Sequence, residues 1–179
     1  MNEEQISMAN SHVVILSALY GLLQPSDLIR PYRLEMISKL QIGSHQTLYS
    51  YWKDKLTPAL NHHLSQDPIP YVINLSSLEY FKAIDKTTLN PNIQIIDCTF
   101  KHQGRVIPVH SKRARGLMAR HLIGSLCQGG TDILSHLKSF QSEGYAFDER
   151  ASSDSSFVFN REQSLDEKND KKTKRPRTT

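Results

Sequence analysis

The chain has 179 residues, 38% of them hydrophobic, and 22 Lys and Arg against 18 Asp and Glu give a formal net charge of +4. That length suits one domain with a sizeable core. Several features point to a soluble, cytoplasmic protein with no membrane partner. No apolar run approaches the roughly 20 residues needed to cross a bilayer, the acidic start MNEEQISMAN is no signal peptide, and Cys98 and Cys127 are too few for a disulfide framework or a metal-ligand spacing.

Glu3, Ile6, Ala9, Val13, Leu16 and Tyr20 recur at helical spacing, and residues 13–23 read as a largely buried helix interrupted at Gly21. Pro25, Ser26 and Asp27 mark a turn, with Asp27 a candidate cap for a helical turn over 28–30. Pro31 forces an extended exit. Tyr32, Leu34 and Met36 alternate with Arg33 and Glu35, the period of a short strand. Residues 46–65 are the clearest helix: Leu48, Trp52, Leu56, Leu60 and Leu64 form one apolar stripe, with a kink or break expected at Pro58. His62 and His63 are adjacent and read as surface residues. Past Pro68 and Pro70, residues 71–75 form a strand, and Ser76 with Glu79 has the spacing of a capping box. Residues 93–100 and 105–110 read as strands joined by a turn at Gly104. A helix follows from Ser111, and a second, capped by Thr131 or Asp132, ends near Lys138. Residues 144–147 and 157–159 pair as a final hairpin. The expected domain is 1–160, and 161–179, nearly without apolar residues and ending in KKTKRPRTT, should be a disordered basic tail.

Five segments in order are diagnostic: LSALYGLLQPSDLIRPYRLEM (16–36), LYSYW (48–52), VINLSSLEYFKAI (72–84), KRARGLMARHLI (112–123) and FQSEGYAFDE (140–149). Together they resemble the YaaA family of bacterial peroxide-stress proteins. The resemblance implies a DNA-binding α+β fold, a mixed sheet with packed helices, that lowers hydrogen peroxide damage in connection with intracellular iron. Family members carry roughly a hundred residues before this point, a large share of a usual domain. These include an opening strand and a helix-hairpin-helix-like segment credited with DNA contact. The resemblance therefore implies the C-terminal part of the family fold only: a fragment, a truncated product or a misassigned start. Ile37 stands where a glycine is expected after the Glu-Met pair.

The chemistry centres on residues 111–126, SKRARGLMARHLIGSL. Ser111 reads as a helix cap, which puts Lys112, Arg113 and Arg115 in a first turn where cations oppose the helix dipole. A bound anion would offset that conflict; nearby carboxylates or simple solvation are the alternatives. No acidic residue lies between Asp97 and Asp132, while Lys101, Arg105, Lys112, Arg113, Arg115 and Arg120 all do. Arg113 and Arg120 share a helical face, Ala114, Met118 and Leu122 turn to the core, and Gly116 permits close approach. The expected partner is the DNA phosphate backbone, bound with little base readout and weakened by salt.

A second group is Arg30, Tyr32, Arg33 and Glu35, with Tyr20 adjoining. Arginines beside an aromatic ring can hold phosphate while the ring stacks on a base, or Arg33 and Glu35 pair and Tyr32 enters the core. A third is Ser76, Ser77, Glu79, Tyr80 and Lys82, where capping leaves Lys82 free. A fourth is Glu143, Gly144 and Tyr145; Glu143 is either a general base or, the favoured reading, the ion-pair partner of Arg113 or Arg115. The expected nucleic-acid set is thus Arg30, Tyr32, Arg33, Lys82, Lys112, Arg113, Arg115 and Arg120, supported by Tyr20, Glu35, Glu79 and Glu143. No nucleophile–base pair, Walker loop, dinucleotide fingerprint or metal cluster is visible, so no catalytic residue, cofactor or metal is expected. The alternatives are an enzyme acting on a nucleotide or nucleic acid, with Glu143 or Glu79 as acid–base, or an inactive fragment.

Overall fold

The computed structural model describes residues 1–65 and 71–162. Pro68, Pro70 and all but the first two residues of the expected tail lie outside the described residues. The chain falls into two compact units, one of residues 1–97 with 123–131, the other of residues 98–122 with those from 132 on.

The first unit opens with α1 (Glu3–His12). Asn2 caps it: its side-chain oxygen accepts the Gln5 N–H at 2.9 Å, and Gln5 Oε1 accepts the Asn2 N–H at 3.2 Å. The expected helix over 13–23 is instead an antiparallel hairpin of β1 (Ile15–Ser17) and β2 (Gly21–Leu23), with Ile15 opposite Leu23. Two local features override the helical spacing. Ser17 Oγ accepts the N–H groups of Leu19 and Tyr20 at 3.2 and 2.9 Å, a side-chain bond that competes with helix. Gly21 sits at φ +83°, and a Cβ there would lie 2.8 Å from the Trp52 ring. Asp27 caps no helix; its carboxylate accepts the Gln24 N–H at 2.8 Å. Residues 31–35 form no strand, although Met36 is fully buried in the core beside them.

The leucine stripe builds α2 (Leu48–Leu64), capped by Thr47. Pro58 neither ends nor splits it. The cost of the lost N–H is offset by burial of Leu56, Leu60 and Leu64 on either side and by Thr57 Oγ1, which accepts the Asp85 N–H at 2.8 Å. β3 (Tyr71–Asn74) runs parallel to the start of β4 (Gln94–His102), Tyr71 opposite Gln94 and Asn74 opposite Asp97. The short α3 (Leu78–Phe81) between them is capped by Ser77, one residue later than expected. Asn74 Oδ1 draws both the N–H and the hydroxyl of Ser76, at 3.0 and 2.7 Å, and so removes Ser76 from the cap.

In the second unit, β5 (Ala146–Phe147) pairs antiparallel with β6 (Ser156–Arg161), Phe147 opposite Phe159. The strand order β3-β4-β6-β5 is mixed, so the fold is α+β as the sequence implies. Phe100 stacks on Phe159 with centroids 5.3 Å apart and meets Tyr145 edge-on at 5.7 Å, and all three are buried. The expected strand over 105–110 is absent. After β4 the chain turns at Gln103 and Gly104, both at positive φ, Arg105 makes only an isolated bridge to His102, and α4 (Pro108–Cys127) begins at once. Proline suits the first helical position because the N–H it lacks would have no partner there. α5 (Ile133–Lys138) is capped by Asp132, which accepts the Ser135 N–H at 3.1 Å.

Candidate nucleic-acid interface

Because α4 starts at Pro108, Lys112, Arg113 and Arg115 lie beyond its first turn. The helix dipole acts mainly within that turn, so the conflict expected there does not arise. Nor is Ser111 a cap: it is buried, and its hydroxyl donates to the Phe100 carbonyl at 3.0 Å. That bond fixes the rotation of α4. Ser111, Ala114, Met118 and Leu122 are buried. Val109, Lys112, Arg113, Gly116 and Arg120, spaced to share the opposite face, are all exposed. Nothing lies within 4 Å of where a Gly116 Cβ would be, so the middle of this face is open backbone. Arg115 departs from the expected set. It is only partly exposed, its Nε is buried without a hydrogen-bond partner among the described residues, and burial pushes its pKa down.

Arg113 is engaged by a carboxylate of the same unit. Glu143 Oε1 accepts its Nε–H at 2.6 Å and pairs with its Nη2 as well. The other carboxylate oxygen is 3.9 Å from Nη1 of Arg161. Glu143 holds this position at φ +54°, followed by Gly144 at +78°, an uncommon backbone for a non-glycine residue. The Arg113 guanidinium beside it holds the Glu143 carboxyl below the usual carboxylate range, with Arg161 and His110 adding to the effect against the opposing pull of burial. Arg161 is almost wholly buried, its side chain 3% exposed against 68% for Arg113. Its Nε donates to His102 Nδ1 at 3.1 Å, and its guanidinium lies 4.8 Å from the Tyr145 ring centroid. The His102 and His110 rings are 5.1 Å apart.

The sequence reading missed Arg161, His102 and His110. The composition of 161–179 assigns Arg161 to the tail, yet it is the last residue of β6. The signal was present: Phe157, Phe159 and Arg161 keep the period of two that places residues on one face of a strand.

The groups from the first unit are built differently. Tyr20 and Tyr32 are both exposed, their rings edge-on at 5.5 Å. Tyr32 does not enter the core; its hydroxyl lies 2.7 Å from Ser17 Oγ. The Tyr20 hydroxyl accepts the Arg30 N–H at 3.2 Å, tying residue 30 to the β1–β2 turn. Arg30, Arg33 and Glu35 are exposed, and among the described residues no ion pair joins Arg33 to Glu35. Glu79 does not reach back to its own helix; its Oε1 accepts the Ile37 N–H at 3.1 Å. Lys82 is exposed and lies 5.2 Å from the Tyr49 ring centroid. The Tyr80 phenol is pushed up by burial, with Tyr32, Glu79 and Glu35 adding to the shift.

Among the described residues, no three His, Cys, Asp or Glu come together as a metal site, and no helix is long and apolar enough to cross a membrane.

A family model described as "Peroxide stress protein YaaA" matches residues 1–151. A UPF0246 protein of Paracidovorax citrulli is 41% identical over 165 residues, 90% of this chain and 61% of the relative. Another, from Bordetella pertussis, is 41% identical over 167 residues, 91% of this chain and 63% of the relative. A third, from Acaryochloris marina, is 42% identical over 160 residues, 87% and 60%. The chain thus spans about three-fifths of the length of the curated relatives it matches. The family match takes in α1, ahead of the five diagnostic segments, so it does not support the expectation that only the family's C-terminal part is represented. With most of its length inside that match, the chain belongs to the family of peroxide stress protein YaaA.

Proposed function

We propose that the chain binds DNA through its sugar-phosphate backbone and so contributes to protection against peroxide in the cytoplasm. The observation that carries this reading is the outer face of α4. Lys112, Arg113 and Arg120 are exposed there around an open glycine, on a helix whose rotation is fixed by the buried Ser111–Phe100 bond. Such a face suits phosphate contacts, which position a duplex without reading its sequence. Arg30, Tyr32 and Arg33, exposed in the other unit, supply the same chemistry with a ring for stacking. Limiting free intracellular iron is a second part of the proposal. It comes from the family resemblance, and no iron ligands are assigned to this chain.

The test is duplex affinity across a salt series. Neutralising the two cations of the face that pair with no carboxylate among the described residues, in Lys112→Gln/Arg120→Gln, is expected to lower the slope of log K against log salt by about 1.8. Equal affinity and equal slope would remove α4 from the interface. The enzyme reading draws less support. Glu143 is already engaged by Arg113, and one carboxylate oxygen of Glu79 accepts the Ile37 N–H.

A further inference from the structure

We infer that the turn at Glu143 covers a binding site for a phosphate monoester, in which the phosphate takes the place of the Glu143 carboxylate between Arg113 and Arg161. The inference does not rest on duplex binding by α4.

The charges around Glu143 do not balance. Among the described residues it is the only carboxylate paired with either guanidinium, so the two arginines leave one positive charge over. Nor do its oxygens serve both. Oε1 is hydrogen-bonded to Arg113, while Oε2 stays 3.9 Å from Nη1 of Arg161, beyond hydrogen-bond range. Arg161 is nonetheless the more deeply buried cation, its side chain 3% exposed. Buried charges are ordinarily paired and hydrogen-bonded. His102 accepts from Arg161 Nε through Nδ1, and an imidazole that accepts at Nδ1 brings a bond and no charge.

A buried polar atom lies at the same place. Tyr145 is 1% exposed, and its hydroxyl has no hydrogen-bond partner among the described residues. Burial pushes this phenol up, with Arg161 opposing the shift and Glu143 adding to it, so the hydroxyl lies within electrostatic reach of both. His110 is close enough to act on the Glu143 carboxylate from α4.

These features define the ligand. A phosphate monoester carries about two negative charges and three free oxygens, where a carboxylate has a single charge and a pair of oxygens. It can hydrogen-bond Arg113 and Arg161 together and leave an oxygen for the Tyr145 hydroxyl. A phosphodiester has no more charge than Glu143, so a DNA backbone passing along α4 leaves the Arg113 pair in place. Glu143 stands at the rim, its side chain 19% exposed, and its withdrawal opens the way to the guanidinium beneath. Two sources present the group: free phosphate, and the phosphate-bearing end of a nucleic-acid strand.

Inorganic phosphate, titrated into the full chain by calorimetry, is the first probe, and one saturable site is expected. Glu143→Gln removes the competing charge and should tighten binding about tenfold or more. Arg113→Gln, at a side chain 68% exposed, should weaken it about tenfold or more. Tyr145→Phe should weaken it about threefold without lowering the urea midpoint, because the hydroxyl it removes bonds nothing among the described residues. Dimethyl phosphate should compete about tenfold less well. The second probe is a hairpin duplex whose single end carries a 5′-phosphate or a 5′-hydroxyl. Tighter binding of the phosphate end, lost in Arg113→Gln, identifies strand ends as the source. Equal affinity for the two ends, with inorganic phosphate still bound, identifies free phosphate. No saturable phosphate binding by wild type or Glu143→Gln overturns the inference, as does an affinity unchanged by any of the three substitutions or equal competition by dimethyl phosphate. A duplex that fails to bind α4 leaves the inorganic phosphate outcomes standing.

Discussion

Arg113 and Arg161 share one carboxylate, and Arg30 and Arg33, in the other unit, have none among the described residues. Glu143 joins the first two, one exposed and one buried. The second pair sits beside Glu35 in sequence yet makes no ion pair with it among the described residues. Counting charges along the chain suggests the reverse, because the 97–132 interval lacks acids and the 30–35 segment contains one. The counter-charge of Arg113 comes from thirty residues away, on a left-handed turn that the fold places against α4. Folding, more than local composition, decides which cations are already partnered.

The contrast predicts unequal costs. Arg161→Met should be the most damaging single change in this group. It takes the donor from His102 Nδ1, the buried cation from the Tyr145 ring and one of the two partners from Glu143. Leaving buried partners without their donor costs about 1–3 kcal/mol, and urea unfolding would read it. Arg30→Met, on an exposed side chain, should change stability little. Equal costs for the two would break the distinction.

Glu143→Gln should come next, with a smaller loss near neutral pH, because exposed Arg113 is solvated when released while buried Arg161 loses a carboxylate 3.9 Å away. The sign of its pH dependence follows from the lowered folded-state pKa. A carboxyl with a lower pKa folded than unfolded adds stability above its unfolded value, roughly pH 4.3 for Glu. That contribution is lost as pH falls through the folded value. Wild type should therefore lose stability on acidification over this range more steeply than the Gln variant. Parallel acid limbs would mean that the pair contributes nothing to the fold.

Some of this architecture was legible in the sequence because one period or one local bond decided it. The stripe from Leu48 to Leu64 fits only a helix, and it survives Pro58. Asp132 capping α5 is a contact over three residues. The pairing of Glu143 with Arg113 followed from charge alone once an unpaired cluster was recognised. The failures share a cause. Residues 13–23 are apolar enough to satisfy a period of 3.6 or of 2, and the choice between them was made by Ser17 Oγ and by Trp52, which packs on Gly21 from another element. The start of α4 was set three residues early by Pro108, while the run of cations drew the boundary to Ser111. Arg161 was judged by the composition of the tail that follows it, and its surroundings of His102, Tyr145 and Glu143 lie 59, 16 and 18 residues away.

The smallest effect is the most discriminating, because it separates exposed charge from available charge. Lys112 and Arg113 are neighbours on the outer face of α4, and both are exposed. Among the described residues, only Arg113 of the two has a carboxylate in contact. A cation already paired with a carboxylate displaces fewer counterions from the phosphate backbone, so its removal changes ion release less. Lys112→Gln alone should lower the salt slope of DNA binding by about 0.9, and Arg113→Gln should lower it by clearly less. In the Glu143→Gln background the two should become alike, since Arg113 is then released to phosphate. If Arg113→Gln matches Lys112→Gln in the wild-type background, DNA displaces Glu143 from Arg113 on binding, and the ion pair belongs to the free protein alone.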